Sequence, residues 1–168
     1  MSLHEIRGGL LETAVTWDEF EKSIRSALGT EARLGANKSV VDIGEGNCFA
    51  SRCGLITCDW VGAAEGERLP KRVVLKIPSA LPFLKLNNAL PKGHRMIENE
   101  EGWEAMGVKL RGVHNIEVAT YNFFEEFEGL AMPRKYYGKR FGEKDKLGGE
   151  ICLEYMENSR MMNFHEKH

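Results

Sequence analysis

Cysteine is sparse and unpatterned in this chain. The four cysteines, Cys48, Cys53, Cys58 and Cys152, show neither the Cys-x-x-Cys spacing of a zinc site nor the density of a secreted, disulfide-stapled scaffold. They are expected to be reduced thiols. No apolar run approaches the roughly 18–20 residues of a spanning helix, and the apolar run at the start is too short for a secretory leader. The expectation is a soluble, cytoplasmic protein with no membrane partner. An excess of positive charge is missing as well: 23 Lys and Arg against 25 Asp and Glu give a net charge of −2, which excludes a broad nucleic-acid footprint. The most basic stretch, Arg134 to Lys146, is broken by Glu143 and Asp145 and reads as a solvated hairpin. Internal repeats and low-complexity tracts are absent.

What is present is enough for one core: 168 residues, 42% of them hydrophobic. Residues 1–14 read as a tail. Thr16-Trp17-Asp18-Glu19 fits a capping box, so a helix should start there, with Trp17, Phe20, Ile24 and Leu28 on one stripe and Gly29 as terminator. Ser39 to Asp42, Ser51 to Trp60 and Arg72 to Ile77 suggest a three-stranded antiparallel meander around a glycine turn. Pro78, Pro82 and Pro91 punctuate a segment that resists a long helix, and Glu98, Glu100, Glu101 and Glu104 read as a solvated face. From Asn115 to Phe127 the pattern is helical, with Ile116, Ala119, Phe123 and Phe127 on one stripe and Glu117, Tyr121 and Phe124 on its neighbour. Lys135 to Gly138 and Glu150 to Tyr155 read as two further strands joined by a loop rich in glycine and charge.

Gly44 and Gly46, in a Gly-x-Gly turn between strands, let the backbone approach a polyphosphate and donate amide hydrogens to it; an ordinary tight hairpin would look the same. Lys76 interrupts the apolar run Val73 to Ile77, where a charge needs a partner. On a strand Val74 and Lys76 share one face while Val73, Leu75 and Ile77 share the other. That geometry suits a cleft lysine with Val74 over a base, or a lysine snorkelling from an edge strand. Glu117 is the candidate acid to hold Lys76, with Glu101 and Glu104 as competitors.

Taken in order, Asp42 to Asn47, Ser51-Arg52, Asp59-Trp60, Leu75-Lys76-Ile77, His114-Asn115 with Glu117 to Tyr121, and Leu153-Glu154-Tyr155 resemble the CHK-kinase-like family. Its relatives are choline kinases, aminoglycoside phosphotransferases and ecdysteroid kinases, and the likeness is greatest to a nematode branch. The resemblance implies an α+β fold: a protein-kinase-like amino-terminal lobe over 15–158, with an antiparallel five-stranded sheet, a cleft-side helix and an extra N-terminal helix. By position it implies that Gly44, Gly46 and Asn47 cover ATP phosphates, that Lys76 contacts them, and that Glu117 pairs with Lys76. The Glu154 carbonyl and Met156 amide would hold the adenine edge, with Val74 and Leu153 lining the pocket. Two departures are Cys48, where the family usually carries glycine, and the small Ala50.

No run after Asn158 fits a catalytic loop or the acid that binds magnesium. The expectation is therefore a nucleotide-binding lobe that holds ATP weakly, takes magnesium only if a second lobe is supplied, and is inert alone. The segment 159–168 reads as a tail, with His165 and His168 simply terminal residues. The alternative is a non-catalytic module that binds a protein partner, or a second copy of itself, through an apolar face near Met156, Met161, Met162 and Phe164. An unrelated β-rich domain with a fortuitous Gly-x-Gly is a third reading.

Overall fold

The structure is a computed structural model that describes residues 2–44, 48–142 and 147–157. Its elements run in chain order as a short 3-10 turn (Leu10–Glu12), α1 (Trp17–Leu28), β1 (Arg33–Leu34), β2 (Ser39–Asp42), β3 (Ser51–Thr57), β4 (Trp60–Val61), β5 (Arg72–Pro78), α2 (Leu81–Ala89), α3 (Glu100–Phe124), β6 (Lys135–Lys139) and β7 (Glu150–Glu154). The fold is α+β. Five strands pair antiparallel in the order β2-β3-β5-β7-β6, and β1 with β4 makes a separate two-stranded ribbon. This architecture is compatible with a kinase-like amino-terminal lobe.

β5 sits in the middle of the sheet, and its alternation assigns each face a helix. Val73, Leu75 and Ile77 are at most 1% exposed and join Phe20 and Ile24 of α1, together with Ile56 and Cys152, in the main core. On the opposite face Val74 packs with Ile151 and Leu153 of β7 against Val118 and Tyr121 of α3. α1 forms because Thr16 accepts from the Glu19 amide while Glu19 accepts from the Thr16 amide, and Gly29 ends it at φ 64°. The capping box and the Trp17-Phe20-Ile24-Leu28 stripe thus lie as the sequence predicts.

Two expectations about elements are corrected. The meander's second strand ends at Thr57, because Trp60–Val61 leaves the sheet to pair with Leu34 and Arg33. The proline-punctuated segment holds only the nine-residue α2, in keeping with a segment that resists a long helix, and Pro82 lies in its first turn, where its missing N–H costs no helical bond. The acids Glu98, Glu100, Glu101 and Glu104 are exposed, as expected of a solvated face, but the helix expected from Asn115, α3, starts earlier, at Glu100: Asn99 caps it by accepting from the Gly102 amide, and Glu100 and Glu101 sit favourably at the positive end of the helix dipole. Its buried stripe is Trp103, Gly107, Leu110, His114 and Val118, whereas Ile116 and Phe123, two members of the expected apolar stripe, are more than half exposed. α3 ends at Phe124, short of Phe127.

Residues before α1 are anchored to the sheet. The Leu3 carbonyl accepts from the Ala80 amide at 2.9 Å, the Leu11 carbonyl accepts from Arg52 Nε at 3.1 Å, and Leu3 and Leu10 are buried.

Candidate functional site

The site grows out of the middle of β5. Lys76 projects from the face opposite Leu75 and Ile77, and its Nζ lies 2.6 Å and 2.8 Å from the two carboxylate oxygens of Glu117 on α3. Both side chains are about one-third exposed or less, 31% and 27%, so the pair stands at the rim of the apolar layer and not within it. Glu101 and Glu104, the competing acids, lie in the first turns of α3 and make no recorded pair with Lys76. Beside the pair, Val74 is opposite Leu153 and Lys76 is opposite Ile151 across the β5–β7 ladder. Leu153, Ile151, Val118 and Tyr121 form one apolar cluster with Val74. Burial raises the Tyr121 phenol above its usual range, with the Glu117 charge adding to the effect.

On the other side of β5, Cys53 of β3 is the cross-strand partner of Lys76. Above Cys53 the chain turns back from β2: the Ile43 amide donates to the Cys53 carbonyl at 2.8 Å, and the Gly44 amide donates to Asp42 Oδ1 at 2.8 Å. Arg52 holds the base of this turn, 3.2 Å from Asp42 and 2.9 Å from Glu12. A Cβ on Gly44 would lie 3.1 Å from Cys48 Cβ and 3.2 Å from Cys53 Cβ, so a side chain there would require both neighbours to give by a few tenths of an ångström. Gly46 and Asn47 lie outside the described residues, and so do Met161, Met162 and Phe164.

The expected adenine-side residues end β7. Leu153 faces Val74 as required. Glu154 and Met156 are exposed, and the Glu154 backbone amide donates to the Arg134 carbonyl at 2.7 Å. Beyond them Arg72 stacks over Tyr155 at 4.5 Å and pairs with Glu157 at 2.7 Å, tying the end of β7 to the start of β5. Among the described residues, no group of three or more His, Cys, Asp or Glu is gathered to hold a metal ion.

Comparison with known proteins places this architecture in a family. The family DUF1679, described as "Uncharacterized oxidoreductase dhs-27", matches over residues 3–168. The chain belongs to the DUF1679 family. No curated protein and no solved structure matches it.

In this DUF1679 chain two residues that the sequence motif contains, but to which it gives no role, turn out to position the site. His114 Nε2 donates to the Lys139 carbonyl at 2.7 Å, and Asn115 both donates to the Phe141 carbonyl and accepts from the Phe141 amide, at 3.1 Å and 2.8 Å. These bonds fasten α3 to the end of β6 immediately before Glu117, fixing where the carboxylate arrives. His114 is 2% exposed, and desolvation lowers its pKa, keeping the ring neutral with Nε2 protonated. The signal was available: polar residues at buried positions of an amphipathic helix need partners outside the helix. Asp59 and Trp60 of the motif are also structural: the Asp59 carboxylate accepts from the Asn37 amide, and Trp60 Nε1 donates to the Pro70 carbonyl, each at 2.8 Å.

Proposed function

We propose that this chain is the nucleotide-holding lobe of a CHK-like small-molecule kinase, with ATP as the ligand. The observation that carries the reading is the Lys76–Glu117 pair. In kinase-type sites a strand lysine reaches the phosphates and a helix glutamate orients it. An ammonium has three protons to donate; two are directed at the Glu117 oxygens, which leaves one on a part-exposed side chain free to meet a phosphate oxygen. The residues therefore fit the ligand. Gly44, with Gly46 and Asn47, would lie over the phosphates, Val74 and Leu153 would flank the base, and the Glu154 carbonyl and Met156 amide would take its edge. Bound ATP would supply the phosphoryl group; the chain's part is to hold and orient it.

The word oxidoreductase in the family's description is said of the protein named there. Dinucleotide-binding oxidoreductases of the doubly wound type build their site at the ends of parallel strands, whereas every pairing in this sheet is antiparallel. Calorimetric titration with ATP and, separately, with NADH tests the two directions. ATP should bind with Kd no tighter than about 1 mM, near −4 kcal/mol, because the described residues wall the ligand on one side only. Lys76→Met should abolish the heat of binding. Binding of NADH with no response to ATP would overturn the reading.

A second reading is a protein-interaction module that pairs with another copy of the chain. It is favoured by an exposed apolar group at the end of α3: Phe123 and Phe127 are half exposed with rings 5.0 Å apart, and Leu130 and Met132 lie close by in sequence with substantial exposure.

A further inference from the structure

The four cysteines are not equivalent. Cys58 and Cys152 are buried in the main core, and burial raises both thiols, Cys58 to about 12. Cys48 and Cys53 instead meet across the mouth of the glycine turn with sulfurs 2.9 Å apart, and both are free thiols. Cys53 is held by β3, in register with Lys76 and with Ser51 Oγ 3.7 Å from its sulfur. Cys48 is held by its amide, which donates to the Gly44 carbonyl at 2.8 Å. Gly44 packs against the pair: a Cβ there would lie 3.2 Å from the Cys48 sulfur and 3.2 Å from Cys53 Cβ. Cys48 is the accessible member: it lines an open pocket of about 180 Å³ together with Gly44, Phe49, Ser51, Arg52 and Lys85.

We propose that Cys48 and Cys53 form a thiol-oxidation site, in which a hydroperoxide converts the pair to an intramolecular disulfide beside Lys76. Cys48 attacks as the thiolate: the hydrogen bond from Cys53, helped by the Lys76 charge and opposed by burial, brings it down to about 7. The thiolate displaces alkoxide or hydroxide from the peroxide oxygen, giving a sulfenic acid on Cys48. Cys53 retains its proton, because the hydrogen bond to Cys48 and burial both raise its pKa. Once Cys48 is a neutral sulfenic acid the thiolate that held this proton is gone, and the Cys53 sulfur attacks the Cys48 sulfur as it gives up the proton, which leaves with the sulfenic oxygen as water. Two thiols and one hydroperoxide give one disulfide, one alcohol or water, and one further water. The sulfurs already lie within contact distance, 2.9 Å apart, which is the proximity the second step needs. The site is independent of the nucleotide reading.

The test treats the reduced, folded chain with hydrogen peroxide and maps the linkage after trypsin. Arg52 lies between the two cysteines, so cleavage separates them and the disulfide appears as peptide 39–52 joined to peptide 53–68. Cys58 shares the second peptide; fragmentation of the linked pair assigns the bond, and Cys58→Ala should leave it intact while Cys48→Ser removes it. Before oxidation, Cys48 should alkylate at neutral pH roughly ten-fold faster than Cys58 or Cys152, as an accessible thiol of lowered pKa does. Cys48 accumulating as sulfinic acid with Cys53 still free, or a linkage that follows Cys58, would overturn the proposal.

Discussion

Lys76 stands between Leu75 and Ile77, which are 0% and 1% exposed, and it remains tolerable because strand alternation turns it away from them to Glu117. A different charged residue has no such exit. Glu150 is fully buried, and its one ion-pair partner among the described residues is Lys139, whose Nζ lies 2.7 Å from its Oε1. Desolvation raises its pKa above the ordinary 4.5, with Lys139 only partly opposing. A carboxyl whose folded pKa exceeds its unfolded one favours the protonated fold. Its contribution is therefore complete below the unfolded value and is lost as pH rises toward the folded value. Glu150→Gln should remove that loss, giving a higher urea midpoint at neutral pH and a flatter dependence of stability on pH above about 4.5. Urea titrations of both proteins from acid to neutral pH check it; parallel curves would mean that Lys139 already compensates the charge.

At the scale of the element, α3 is a 25-residue helix whose position is set near its middle, by His114 and Asn115, and not at its ends. Asn115→Ala removes both bonds to Phe141 and leaves the Phe141 amide and carbonyl without their partner, a loss of about 1–3 kcal/mol. The predicted result is faster hydrogen exchange in residues 114–121 and along β6, with α1 unchanged; if Lys76 does hold ATP, affinity should fall with Lys76 itself intact. Equal loss of protection across both helices would instead indicate global destabilisation. α3 is also where sequence reading failed. Gly102, Gly107 and Gly112, and the acids before them, dilute the apolar pattern, so periodicity alone found only the second half. Of the two expected stripes, Ile116 and Phe123 are exposed, while Tyr121 on the neighbouring one packs with Val74 and Val118. α1 and the strands were legible because their signals are local: a capping box, a terminal glycine, and alternation bounded by turn residues. Lys76 and Val74 were legible through alternation as well, and Leu153 through the family resemblance, whereas the bonds of His114 and Asn115 span 25 and 26 residues, so the sequence offers the two polar residues without their partners. The proximity of Cys48 and Cys53 was equally hidden, since it depends on how the turn from β2 folds over β3.

At the scale of the whole molecule, one sheet is clad unequally. α1 covers its face with an amphipathic helix whose apolar side is buried, while α3 buries one stripe and turns Val108, Val113, Ile116 and Phe123 to solvent, each more than half exposed. An exposed group of this kind favours association of copies through the same patch. Sedimentation velocity over a concentration series should show a monomer–dimer shift that Phe123→Glu with Phe127→Glu abolishes without changing the far-ultraviolet circular dichroism. A concentration-independent monomer would remove the interaction reading.

The alternation of β5 also acts as a proof-reader during assembly. A slip of one residue in its pairing would drive the Lys76 ammonium beneath α1 and put Val73, Leu75 and Ile77 on the side of the carboxylate, so a misaligned sheet forfeits the core and the ion pair together. Single-residue insertions or deletions should thus be rejected within 72–78, yet accepted in the exposed stretch 62–66, where no buried side chain depends on the count.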